Sequence, residues 1–144
     1  MINFFIKQKK LLDPEDKYPI RLFHWSHAEQ TIMEKIFQRH PRLLKLWDEY
    51  FAWVDMCDIF VKTPIVVRGA VTFKLKDIAK AMFSLNLITT TWTSDINSGF
   101  AAMQSAAEYY RNKNSNVMND IEEYNMVDCK VMWDIVKYLR LNNF

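Results

Sequence analysis

The chain has 144 residues and a mass of 17.2 kDa, half of them hydrophobic and 15% aromatic, which gives one ordinary domain a core and excludes a disordered or low-complexity chain. With 19 Lys and Arg against 17 Asp and Glu, the net charge of +2 excludes a strongly basic nucleic-acid tail and an acidic one, and two glycines argue against a glycine-lined phosphate loop. Two cysteines, Cys57 and Cys129, with no Cys-x-x-Cys spacing exclude a zinc-knuckle framework and suit a reducing, cytoplasmic compartment, while no apolar run nears the roughly 20 residues that span a bilayer and the start lacks the marks of a signal peptide.

Residues 2–12 are expected to form a short helix with Ile2, Phe5, Ile6 and Leu12 as its apolar stripe, broken at Asp13-Pro14-Glu15-Asp16. Ile20-Arg21-Leu22-Phe23-His24-Trp25 is apolar and β-prone and is expected to be a buried strand. Ser26 with Glu29 three residues on makes a capping-box pattern for a helix to about Arg39, carrying Ile32, Met33, Ile36 and Phe37 on one face. Pro41 starts the next helix, over 41–51. Residues 53–62 fit strand or helix equally. Pro64 and Gly69 bracket a second β-prone stretch, Ile65-Val66-Val67. Thr72 is expected to cap a helix from Leu75 to about Leu85 that carries Leu75, Ile78, Ala79, Met82 and Phe83.

Residues 89–99 read as a loop, 100–111 as a helix, 112–116 as a polar turn, and 117–124 and 126–141 as two closing helices. Met103, Met118, Met126 and Met132 are expected to fill the core. The balance is a helix-rich α/β domain, without repeats, in which helices flank a small sheet of two or three strands.

Two segments carry possible chemistry. Tyr124 and Asp128 are four apart, so on a helix they share a face one turn apart. There a carboxylate can ligate a divalent metal and a phenol can orient a metal-bound water. The same spacing also arises by chance, with Tyr124 covering the core edge and Asp128 solvating the helix. His24-Trp25-Ser26-His27-Ala28-Glu29 places a carboxylate at a strand-to-helix junction, a usual location for sites in α/β folds. A Glu in a first helical turn is equally explained by the helix dipole.

Taken in order, these segments resemble a ribonuclease H-like, DEDD-type 3′–5′ exonuclease domain, nearest to the YprB-like group and related to the DnaQ-like DEDDy enzymes. His24 through Glu29 is similar to the second motif, and Tyr124-Asn125-x-x-Asp128 to the third. Between them, Trp53-Val54-Asp55-Met56, the stretch from Val67-Arg68-Gly69 to Ala79, and Asn97–Met103 followed by Tyr109-Tyr110 resemble the family's intervening segments. The resemblance runs from about residue 18 to residue 141. The family's first motif, Asp-x-Glu on the first strand, has no counterpart: Asp13-Pro14-Glu15 sits in a Pro-broken loop and Asp120-Ile121-Glu122 beside the third motif on a helix. The chain is therefore expected to be a truncated ribonuclease H-like fold, a fragment, or one half of a split domain.

The resemblance implies a metal-dependent nuclease that cuts DNA or RNA phosphodiester bonds with two divalent ions, Mg²⁺ or Mn²⁺. It implies that Asp128 and Glu29 ligate metal, that Tyr124 positions the attacking water, and that His24, Arg68, Lys74 and Lys76 contact the phosphodiester backbone. Trp25 and Trp92 are candidates for base stacking, against their ordinary use in a core. With two of four acids present, catalysis is expected to be incomplete unless a homodimer or second chain completes the sheet and site. The alternatives are a non-catalytic remnant that binds nucleic acid or protein, and a small helical interaction protein.

Overall fold

Two compact units divide the chain, Met1–Ile65 and Val66–Phe144. The computed structural model describes residues 2–92, 99–112 and 115–143. No helix among them is long and apolar enough to cross a membrane.

In the first unit, helix α1 (Ile2–Leu12) ends where the Asp13 carboxylate accepts the N–H groups of Lys17 and Tyr18 at 3.1 and 2.9 Å. Strands β1 (Ile20–His24) and β2 (Phe51–Asp55) pair in parallel, in register from Ile20↔Phe51 to His24↔Asp55. Parallel strands need a crossover, and α2 (Ala28–Arg39) with α3 (Pro41–Tyr50) supplies it. Phe37, Trp47 and Phe51 form the buried centre, with Trp47 and Phe51 stacked at 4.6 Å between ring centroids. Ile6, Leu22, Met33, Leu43 and Trp53 pack around it.

The ambiguous stretch 53–62 divides at Asp55, which ends β2 and caps α4 (Met56–Lys62) by accepting the N–H groups of Cys57 and Asp58. One carboxylate thus ends the strand and starts the helix.

Four local expectations fail here, the first on α1, where Phe5 and Leu12 of the expected stripe are exposed. The capping box does not form: Ser26 lies at φ 68°, and the residue before α2 is His27, with no side-chain cap. The tertiary partners of Ser26 override the local pattern, because its N–H is taken by Asp55 and its carbonyl by His24. On α2, Ile32 and Ile36 face solvent at 60% and 38% exposure, and Met33 and Phe37 make the inward face. β1 is half-buried rather than buried, with only His24 fully covered.

After α4, the β-branched triplet at 65–67 forms no strand. Ile65 N–H bonds back to the Phe60 carbonyl at the end of α4, and Val67 accepts from Ala70 in a turn that needs Gly69 at φ +96°. Helix α5 (Leu75–Ser84) buries Ile78, Ala79, Ala81 and Met82, while Phe83 is exposed. Its N-cap is Lys74, not Thr72. The Thr72 hydroxyl instead accepts the Lys74 N–H at 3.1 Å and donates to the Asp77 carboxylate.

Helices α6 (Gly99–Asn112) and α7 (Ser115–Leu141) follow, and α7 packs against both α5 and α6. The two closing helices of the sequence reading are one continuous 27-residue helix. Nothing at Asn125 interrupts it, because Ile121, Tyr124, Val131, Ile135 and Leu139 keep a buried three–four spacing through that point. Met118 and Met132 are half-buried, but Met126, off that stripe, and Met103, on α6, are exposed. Most of the predicted 89–99 loop and the centre of the 112–116 turn, residues 93–98 and 113–114, lie outside the described residues. The architecture is the expected helix-rich α/β arrangement, with a two-stranded parallel sheet among the described residues.

Candidate functional site

The buried stripe of α7 carries Tyr124 and Asp128 inward on one face. Trp92, from the segment after α5, donates its indole N–H to Asp128 at 2.7 Å, and the Tyr124 hydroxyl donates to the same carboxylate. Lys76, in the first turn of α5, holds its ammonium 4.7 Å from the Tyr124 ring centroid and 5.3 Å from that of Trp92. Ile121, Met118 and Ala106 back the two aromatics. Burial, then the Asp128 charge and the hydrogen bond to it, push the Tyr124 phenol above its usual pKa. It therefore stays protonated at neutral pH and works as a donor, not as a base. Burial lowers the Lys76 pKa, opposed by the charge of Asp128 and helped by the like charge of Lys80.

The segment that delivers Trp92 is tied to α7 a second time. The hydroxyls of Thr89 and Thr90 donate to Asp134 at 3.2 and 2.7 Å, and Lys137 pairs with it at 2.7 Å. Burial pushes Asp134 up, but Lys137 and the two threonines outweigh it and hold the carboxyl below its usual range. Six residues separate Asp134 from Asp128, about 9 Å along the helix. Two carboxylates on one helix thus fix both ends of residues 89–92.

The first unit carries a different polar corner at the C-terminal ends of β1 and β2. His24 is 2% exposed, and its Nδ1–H donates to the Ser26 carbonyl, while its ring lies edge-on to Trp53. Asp55 Oδ1 accepts the N–H groups of Ser26, Cys57 and Asp58 at 3.0, 2.9 and 3.3 Å. An open groove of about 490 Å³ runs past this corner, lined by His24, Gln30, Trp53, Asp55, Asp58 and Lys62 among others. A hydrogen bond from Lys62 holds Asp58 below its usual pKa, and burial raises the Cys57 thiol, which keeps it protonated and unreactive.

The residues singled out in the sequence thus fall into two groups. Tyr124, Asp128 and Lys76 meet in the second unit, together with Trp92. Arg68 and Lys74 are exposed in that unit, in the Gly69 turn and at the start of α5. Glu29 and His24 belong to the first unit, with Glu29 exposed on the first turn of α2. Trp25 packs against Phe60 at 5.4 Å. Sequence reasoning missed Asp55 as a hub and Asp134 altogether. The signal for Asp134 was its place among the α7 stripe residues, where a carboxylate demands partners.

A family model described as the RNase H superfamily matches residues 3–140. The chain belongs to the RNase H superfamily. No curated protein and no solved structure matches it. This superfamily membership carries a nuclease-like fold, and the helix-rich α/β arrangement is consistent with a truncated version of it.

Divalent metals are the usual cofactors of the superfamily. Asp128 offers the right kind of donor for one, because hard carboxylate oxygen suits Mg²⁺. The number of ligands falls short, because no group of three or more His, Cys, Asp or Glu side chains that could hold a metal exists among the described residues.

Proposed function

We propose that this RNase H superfamily chain is a divalent-metal-dependent nuclease domain of the DEDD 3′–5′ exonuclease kind, incomplete without further acids. The observation that supports it most is the Tyr124–Asp128 pair, hydrogen-bonded on the buried face of α7 at the positions that resemble the family's third motif. Asp128 and Glu29 are the proposed ligands of Mg²⁺ or Mn²⁺. Such an ion, when bound, supplies an activated water and positive charge against the phosphate.

The protein's own groups do the rest. Tyr124, protonated and anchored on Asp128, orients the attacking water through its hydroxyl. Trp92 fixes the Asp128 rotamer. Arg68, Lys74 and Lys76 bring positive charge to the phosphodiester backbone of DNA or RNA. His24, buried against Ser26, acts on the substrate by shaping the corner that precedes Glu29. The missing acids and the short sheet are supplied by a second chain, either another copy or a partner.

The test is Mn²⁺-dependent hydrolysis of a 3′-labelled single strand, DNA and RNA in parallel. Asp128→Asn is expected to reduce cleavage to background and Tyr124→Phe to slow it by about 10²-fold. Cleavage that survives Asp128→Asn, or that proceeds in chelator, overturns the reading. Sedimentation during the same assay separates its parts: an active monomer retains the nuclease and removes the second chain.

One observation favours the second reading, a non-catalytic remnant that binds nucleic acid. Asp128 is already engaged by Trp92 and Tyr124 and lies in the field of Lys76. A carboxylate held by an indole and a phenol is stable without a metal. Salt-dependent binding of a labelled strand with no hydrolysis under any divalent ion would support it.

A further inference from the structure

The outer face of α1 is apolar and cationic at once. Phe4, Phe5, Leu11 and Leu12 are exposed at 60, 38, 67 and 84%, while Ile2 and Ile6 of the same helix pack on the buried centre of the first unit. On a helix, Phe4 and Leu11 return to one side and Phe5 and Leu12 to another about 100° round, so the four make one outward arc of about 120°. Lys7 and Lys10 flank that arc beside Leu11, both exposed, and share a shallow open groove with it. No acid lies on α1. Its third lysine, Lys9, is buried and paired with Asp13 and Asp16, and Glu15 pairs with Lys17. The acids that follow the helix are thus neutralised, and Lys7 and Lys10 keep their charge at the surface.

We propose that α1 is a membrane-surface anchor that lies in the plane of an anionic lipid bilayer, with Phe4, Phe5, Leu11 and Leu12 among the acyl chains and Lys7 and Lys10 at the lipid phosphates. The proposal is independent of the nuclease reading. An apolar stripe in water is unfavourable, and a bilayer buries it while the lysine stems extend to the headgroups. The charge pattern selects this occupant. In a two-fold contact with a second copy the face would meet itself, lysine near lysine with no acid to pair. A nucleic-acid strand would use the lysines and could stack bases on the two phenylalanines, but offers nothing to Leu11 and Leu12. An anionic bilayer engages all six side chains. Four apolar side chains and two cations give weak, reversible attachment that depends on lipid charge and on salt.

Co-sedimentation of the full chain with vesicles tests this, using phosphatidylcholine alone and phosphatidylcholine with phosphatidylglycerol in equal parts. The wild type is expected to partition onto the anionic vesicles at least about tenfold better than onto the neutral ones. Leu11→Ser with Leu12→Ser is expected to lose about tenfold on the anionic vesicles, and Lys7→Gln with Lys10→Gln a similar factor. Lys45→Gln with Lys130→Gln removes the same charge from exposed positions on α3 and α7 and is expected to change binding by less than about twofold. All six positions are exposed, so each variant should melt close to the wild type, which separates loss of binding from loss of fold.

Equal losses in the two lysine pairs would mean attraction by overall charge and overturn the anchor. Binding that survives in the leucine pair overturns it too, as does failure to bind either vesicle. A dimer that the leucine pair dissociates in sedimentation assigns the face to a second copy instead. Affinity for a labelled single strand that needs Lys7 and Lys10, without vesicle binding, assigns it to nucleic acid.

Discussion

Asp55 and Asp128 are both aspartates that accept several hydrogen bonds, and the donors they accept from are different in kind. Asp55 takes three backbone N–H groups, from Ser26, Cys57 and Asp58. It ends a strand, starts a helix and holds the β1–α2 corner. Asp128 takes side-chain donors, Trp92 and Tyr124, with an ammonium beside them. Backbone donors must be satisfied somewhere in any fold, so a carboxylate that serves them is sufficiently explained as architecture. Side-chain donors gathered around a carboxylate on a buried helix face are optional. They cost desolvation and conformational entropy that an apolar residue would not, which is why the α7 cluster, and not the β1–β2 corner, is the better functional candidate.

The comparison breaks most sharply on substitution of the two aspartates. Asp55→Ala strips one acceptor from three N–H groups and removes the α4 cap, and is expected to destabilise the protein by about 3 kcal/mol in urea melting. Asp55→Asn keeps an acceptor oxygen and should lose about half as much. Asp128→Asn keeps shape and an acceptor and should cost less than about 1 kcal/mol, while any metal-dependent activity disappears. A melt in which Asp128→Asn is as damaging as Asp55→Ala would make both carboxylates structural.

Acid sharpens the picture within α7. Asp134 has its pKa depressed in the folded protein by Lys137, Thr90 and Thr89 against the opposing effect of burial. A depressed folded pKa contributes stability that is fully present above the unfolded value of about 3.9 and is lost as pH falls through the lower folded value. The stability gap between wild type and Asp134→Asn should therefore be steady from about pH 6 down to about pH 4.5 and narrow below about pH 4. A gap of the same size at pH 3 and pH 6 would show that the Asp134 charge contributes nothing.

How much of this was legible in the sequence follows from where the determining forces are local. The helix at 2–12, the strand at 20–24 and the Pro41 start were readable, because chain breakers and β-prone runs act within a few residues. The pairing of Tyr124 with Asp128 follows from helical spacing only because residues 115–141 are one helix, where the sequence reading breaks the chain at residue 125 between them. The capping box at Ser26 was not readable, because Asp55, 29 residues away, takes the N–H that a local reading assigns elsewhere. The strand at 65–67 failed for a related reason: β-branched residues form a strand only beside a partner, and here a turn at Gly69 follows. The inward face of α2 was misjudged by one position, since Ile32 and Met33 are equally apolar and only packing distinguishes them. Trp92 could not be joined to Asp128 by spacing, because 36 residues separate them.

Thr72 tests the distinction at its finest grain, because its one hydroxyl does both jobs. It accepts the backbone N–H of Lys74 and donates to the carboxylate of Asp77. Both partners lie at the start of α5, the helix that carries Lys76, so the hydroxyl fixes the turn from which that lysine projects. Thr72 is exposed, and water can replace either bond, so Thr72→Val should cost only about 0.5 kcal/mol in melting. Thr72→Ser, which keeps the hydroxyl, should be indistinguishable from wild type. If the loss is local, Asp77→Ala, which removes the acceptor, should reproduce part of it, and the Thr72→Val, Asp77→Ala double variant should be less damaging than the sum of the single ones by their shared bond. An additive pair would mean that the two bonds are independent, with the backbone bond alone setting the turn.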